Sequence, residues 1–145
     1  MSDNNVGVTP EVELLPGLNV YKGRCTECKK ETSSKGNPML VQTFEIFGHP
    51  QDALNGMTIQ NWATMNTKTV AGFDRQRESL GLAPVGGKFE QVDPLDYKGA
   101  ECAFSARVES EEQKNEVTGE TLINPNTGKP VMSHRRRIVQ FLPKQ

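Results

Sequence analysis

Ser33-Ser34-Lys35-Gly36-Asn37-Pro38-Met39 separates two strand-like runs, and its reading sets the frame for the rest of the chain. Gly36 tolerates a positive φ, and Pro38 biases Asn37 toward extended backbone, so the chain reverses here and re-enters a strand. Upstream, Asn19 to Glu31 reads as a first strand. Downstream, Met39 to Phe47 reads as a second, with Leu40, Phe44 and Ile46 on one phase and Val41, Thr43 and Glu45 on the other. Gln42 interrupts the apolar phase, which predicts a β-bulge at that point.

Working outward, His49-Pro50-Gln51-Asp52 and Asn55-Gly56 make a turn into a third strand over Met57 to Trp62. The period then changes. Val70, Phe73 and Leu80 stand at helical spacing between Asn66 and Leu82, with Asn66 or Thr67 as N-cap and Gly81 as terminator. Gly72 inside this helix costs about 1 kcal/mol relative to Ala. Pro84 to Gly87 and Asp93-Pro94 are loop. Cys102, Phe104, Ala106 and Val108 then alternate with Glu101, Ala103, Ser105 and Arg107, the cleanest period-two signal in the chain. Ser110 to Ser133 reads as a long, mobile polar loop, and Arg135 to Leu142 as a fifth strand. No internal repeat is read. Five strands with one helix between the third and fourth predict an all-β fold, a small barrel of the OB-fold type, whose outer face and two flanking loops bind oligonucleotides. The Ser33–Met39 turn becomes one of those two loops.

A chain of 145 residues has room for one domain with a real core. Residues 1–13 read as a disordered tail and 14–145 as the domain. Lys and Arg number 17 against 18 Asp and Glu, a net charge of -1 that excludes a strongly cationic polyanion binder. It leaves room for a local basic groove, because a nucleic acid feels distribution rather than sum. No apolar run reaches membrane-spanning length and Met1-Ser2-Asp3-Asn4-Asn5 is not a signal peptide, so no membrane association is expected. The three cysteines, Cys25, Cys28 and Cys102, are expected as reduced thiols.

Cys25-Thr26-Glu27-Cys28 has the spacing of half a zinc site, but only Cys102, His49 and His134 remain to complete it. On a regular strand the two thiols point to opposite faces, so no metal is expected. His49 and His134 have no nucleophile or carboxylate partner at a recognisable spacing, and neither a Walker loop nor a dinucleotide fingerprint is present. Glu109, Glu111, Glu112, Glu116 and Glu120 read as a solvated loop. Neither enzymatic activity nor a cofactor is expected.

Cations and aromatics carry more. Single-strand binders combine cations that track phosphates with aromatic rings on which bases stack. The first strand carries Lys22, Arg24, Lys29 and Lys30, its turn adds Lys35, the fourth strand adds Arg107, and the fifth opens with Arg135-Arg136-Arg137. Three consecutive cations repel one another unless an anion lies nearby, either DNA or the glutamates of the preceding loop. Phe44, Phe73 and Phe104 fall on apolar phases and read as core. Trp62 is the first candidate for base stacking, with Tyr21 and Phe47 next. The expected nucleic-acid contacts are therefore Lys22, Arg24, Lys29, Lys35, Trp62, Arg107, Arg135, Arg136 and Arg137.

Four stretches recur in a familiar order: Ser34-Lys35-Gly36-Asn37-Pro38-Met39, Leu80-Gly81-Leu82, Tyr97-Lys98-Gly99, and Arg137-Ile138-Val139-Gln140-Phe141-Leu142-Pro143. Together they resemble a family of small phage-encoded OB-fold single-stranded DNA-binding proteins, over roughly 15–143. The resemblance implies a barrel that coats single strands during phage replication or recombination, in the cytoplasm of an infected bacterial host. The partners it implies are single-stranded DNA and phage replication or recombination proteins, and exposed sheet edges permit homo-oligomers. A phage structural or assembly protein, using the barrel for protein contacts, is the other reading. It would use Leu122, Ile123 and Val131 of the long loop where a DNA clamp would use Lys129 to Arg137.

Overall fold

The computed structural model describes residues 13–143. Five antiparallel strands form one sheet: β1 (Asn19–Thr32), β2 (Pro38–Ile46), β3 (Thr58–Thr64), β4 (Glu101–Glu112) and β5 (Met132–Phe141). One helix, α1 (Val70–Ser79), lies between β3 and β4. The sheet order is β3-β2-β1-β4-β5, so the hydrogen-bonded ladder ends at β3 on one side and β5 on the other. Those two ends curl toward each other. Arg136 of β5 donates from Nη1 to the Thr58 carbonyl at the start of β3, at 2.8 Å. Phe141, at the end of β5, lines a cleft with Ala63 and Thr64 at the end of β3. The two edges therefore run in the same direction across a seam that side chains fill. Among the described residues no helix is long and apolar enough to cross a membrane.

The core lies on the concave side. Cys25, Phe44 and Ile59 stand in one cross-strand row, and Tyr21 and Phe104 in another, all buried. Phe44, Phe104 and Phe141 meet edge-on or tilted, with ring centroids 5.5–6.2 Å apart, the arrangement aromatic quadrupoles favour. Gly23 admits this packing, because a Cβ there would overlap the Phe104 ring. Gly36 takes φ 84° at the β1–β2 turn, as its reading requires, and closes the turn by donating to the Ser33 carbonyl at 2.9 Å.

The predicted helix is shorter than its pattern. Asn66 is held in an Asx turn, its Oδ1 accepting from the Lys68 N–H at 2.8 Å, and the helix begins only at Val70. Its end follows expectation. Gly81 (φ 80°) donates to the Glu78 carbonyl and Leu82 to the Arg77 carbonyl at 2.7 Å, a Schellman closure.

Three expectations need correction. The bulge lies on β1, at Thr26 between Cys25 and Glu27, and β2 runs regularly through Gln42. Gln42, fully buried, instead exchanges amide hydrogen bonds with Gln76 of α1 at 3.0 and 2.5 Å, and accepts from Asn61 Nδ2 at 2.9 Å. A satisfied polar network removes the penalty that would have forced a bulge. The extra residue on β1 also resets the strand's phase. Cys25 pairs with Phe44 and Cys28 with Gln42, so both thiols face inward rather than to opposite sides.

The 113–131 connection is closed by backbone hydrogen bonds and contains a repeat. Asn115 to Gly119 and Asn124 to Gly128 share the pattern Asn-x-x-Thr-Gly, and each forms the same turn. In both, the glycine has positive φ (74° and 70°) and donates to the asparagine carbonyl at 2.8 Å, while the asparagine Oδ1 accepts from the N–H two residues on. Gln113, Leu122 and Val131, nine residues apart, close a ring of backbone hydrogen bonds, each 2.8 Å. The loop is two stacked turns on a backbone hub. The proposed tail at residues 1–13 lies outside the described residues except at its last position, where Glu13 pairs with Arg136 at 2.7 Å.

Candidate nucleic-acid interface

Alternation along β3 turns Trp62 outward while Ile59 points into the core. Trp62 is 52% exposed, which for a tryptophan in mid-strand leaves much of a ring face uncovered. It stands in one outer row with Lys29 and Val41 across β1 and β2. On its other side is the β3–β5 seam, where Gln60, Asn61 and Trp62 line a groove with Arg135, Arg136, Arg137 and Ile138. The fold thus brings the strongest stacking candidate and the arginine run to one place, although some seventy residues separate them in sequence.

The arginines are not equivalent. Arg107, Arg135 and Arg137 gather round Glu109 of β4, at 2.9, 3.7 and 3.3 Å. A hydrogen bond from Arg107, followed by those from Arg137, holds the Glu109 carboxyl below its ordinary range. Glu109 is therefore part of the cationic cluster and not of a solvated loop. Glu111 lines the same cleft, so three guanidinium groups against two carboxylates leave a local excess of one positive charge. Arg136 points the other way. Its Nε meets Glu13 and its Nη1 the Thr58 carbonyl, so it staples the seam. Burial raises the Glu13 pKa, but hydrogen bonds from Arg136 and the Leu14 N–H outweigh this and leave it lowered.

The other predicted contacts lie elsewhere. Arg24 stands in an outer row between Glu101 of β4 and Glu45 of β2. It bonds Glu101 at 2.9 Å and lies 4.8 Å over the Phe47 ring. Lys22 lines a separate cleft with Phe47, Glu101 and Ser79. Lys29 pairs with Glu27 at 3.2 Å. Lys35 is exposed at the tip of the β1–β2 turn. Tyr21, the second stacking candidate, is 1% exposed, with its hydroxyl accepting from the Leu15 N–H, and belongs to the core. Sequence reasoning missed Glu109 as the anchor of the cluster. Its signal was the two-residue spacing from Arg107, which puts both on one face of a strand.

Burial pushes Cys25 up to about 11, and burial together with the neighbouring Cys25 pushes Cys28 up to about 12. Both are neutral thiols at pH 7 and poor nucleophiles. Among the described residues no three His, Cys, Asp or Glu side chains converge as a metal site. Searches against protein-family models and curated proteins return no match for this chain.

Proposed function

We propose that this protein binds single-stranded DNA without catalysing a reaction and with little sequence preference, as an OB-fold protein of phage DNA replication or recombination acting in the host cytoplasm. One observation carries the reading: a half-exposed tryptophan shares a groove with a cluster of arginines that holds excess positive charge. Cations would hold the phosphates while the indole stacks a base, a combination that tolerates any sequence because every base has a π-face. The sheet order β3-β2-β1-β4-β5, with β3 and β5 edges alongside, supports a partly open OB barrel. In that frame the turn at Lys35 and the 113–131 lobe are the two loops flanking the binding face.

The test is titration of a fluorescent oligo-dT at two salt concentrations. Binding at low salt that weakens steeply as salt rises is the expected result, and absence of binding at low salt overturns the reading.

Exposed Val117, Leu122 and Ile123 on the lobe, with Met132 at the start of β5 beside it, favour a second reading, a barrel for protein–protein assembly. The two separate by which pair of substitutions matters: on the first reading Arg135→Glu/Arg137→Glu abolishes oligonucleotide binding, whereas on the second Leu122→Ser/Ile123→Ser disrupts self-association read by size-exclusion chromatography and the arginine pair does not.

A further inference from the structure

Gly72 sits inside α1, where glycine costs about 1 kcal/mol relative to Ala. Neither backbone nor packing calls for it. Its φ is not positive, and a Cβ built there meets nothing within 4 Å. What its missing side chain does is leave a wall open. Gly72 borders a cleft of about 350 Å³ between α1 and β3, at the lower end of the size of small-ligand sites.

The lining of that cleft is specific. Phe73 and Phe141 supply apolar wall, and Lys68 adds a cation. Asn61 and Trp62 border this cleft and also the arginine groove, so the two spaces meet at those side chains. Gln76, 3% exposed, is fixed by its reciprocal bonds to Gln42. Asn61 gives one amide hydrogen to Gln42, and among the described residues its Oδ1 takes no hydrogen bond. A planar group entering here meets aromatic carbon on its faces and an amide acceptor, already oriented, at its edge.

We propose that this cleft is a nucleobase pocket. It takes one unstacked base of the bound single strand, next to the base stacked on Trp62, with Asn61 addressing its hydrogen-bonding edge and Lys68 its phosphate. The proposal rests on the single-strand-binding reading. Gly72 is then the residue that keeps the pocket open at a cost to helix stability.

The experiment compares oligo-dT with an abasic oligonucleotide of equal length on the full chain labelled with ¹⁵N. Oligo-dT is expected to shift the Asn61 side-chain amide and the Gly72 backbone amide, and the abasic strand to leave both in place. Gly72→Leu, which fills the cleft, is expected to weaken oligo-dT binding by roughly tenfold, the size of one lost base contact, and to leave abasic binding unchanged. Gly72→Ala should melt at a higher temperature than the parent. If the parent binds oligo-dT while the Asn61 and Gly72 signals stay still, the pocket is overturned and single-strand binding stands. Undiminished oligo-dT affinity in Gly72→Leu overturns it equally. Failure of the parent to bind oligo-dT at all removes both proposals.

Discussion

On the β1–β4 side of the sheet, Arg24 stands between Glu101 and Glu45 and lies over Phe47. On the β4–β5 side, Arg107, Arg135 and Arg137 share the single carboxylate of Glu109. Both faces are basic when read along the chain. In space the first is neutralised almost one for one and the second is not. Exposed ion pairs of the Arg24 kind contribute about 0–1 kcal/mol each and offer a phosphate little net charge. A cluster short of anions gains from any phosphate that approaches. This second face also borders the exposed ring of Trp62.

The comparison breaks most directly at charge reversal. Arg135→Glu/Arg137→Glu should abolish measurable oligo-dT binding at moderate salt, whereas Arg24→Glu should weaken it only slightly; equal losses would mean that the two faces are alike. Trp62→Ala comes next, with an expected loss of about 1–3 kcal/mol of binding free energy by fluorescence anisotropy and an unchanged salt slope, because a stack carries no counterion. Arg107→Ala, read by the same titration, should reduce the steepness of log K against log salt by about 0.7, one phosphate contact on a single strand. Glu109→Gln removes the carboxylate that competes with DNA, and a severalfold gain in affinity is expected by isothermal titration calorimetry.

The smallest effect is on acid stability. Glu13 and Glu109 both have lowered folded pKa values, so their contribution is present above the ordinary carboxylate value of 4.5 and is lost as pH falls through the lowered values. The melting temperature should therefore decline on that acid limb, and Glu109→Gln should flatten part of the decline. At the alkaline end the signs reverse. Cys25, Cys28 and Tyr97 are raised, to about 11, 12 and 12, mainly by burial, so stability is lost as pH climbs from the ordinary thiol value of 9.0 through that range.

The strands were legible because alternation at Cys102 to Val108 and the turn at Gly36 are local signals, each complete within a few residues. Trp62 and the arginine run were legible as residue types for the same reason. Their meeting was not, because it depends on how far the ends of the sheet curl, which no short window encodes. The bulge was misplaced for a related cause. Gln42 is a misfit only until Gln76 and Asn61 arrive to satisfy it, and Gln76 is 34 residues away. The Asn-x-x-Thr-Gly repeat stood in plain view but is too short to register as a repeat until both copies form the same turn.

The central claim, that a base stacks on Trp62 beside the arginines, can be read from the protein itself, since the chain has one tryptophan. Intrinsic fluorescence followed during oligo-dT addition at low salt should fall saturably, and it should recover when salt is raised. Binding detected by anisotropy with the indole emission unchanged would contradict the account, because the strand would then lie on another face.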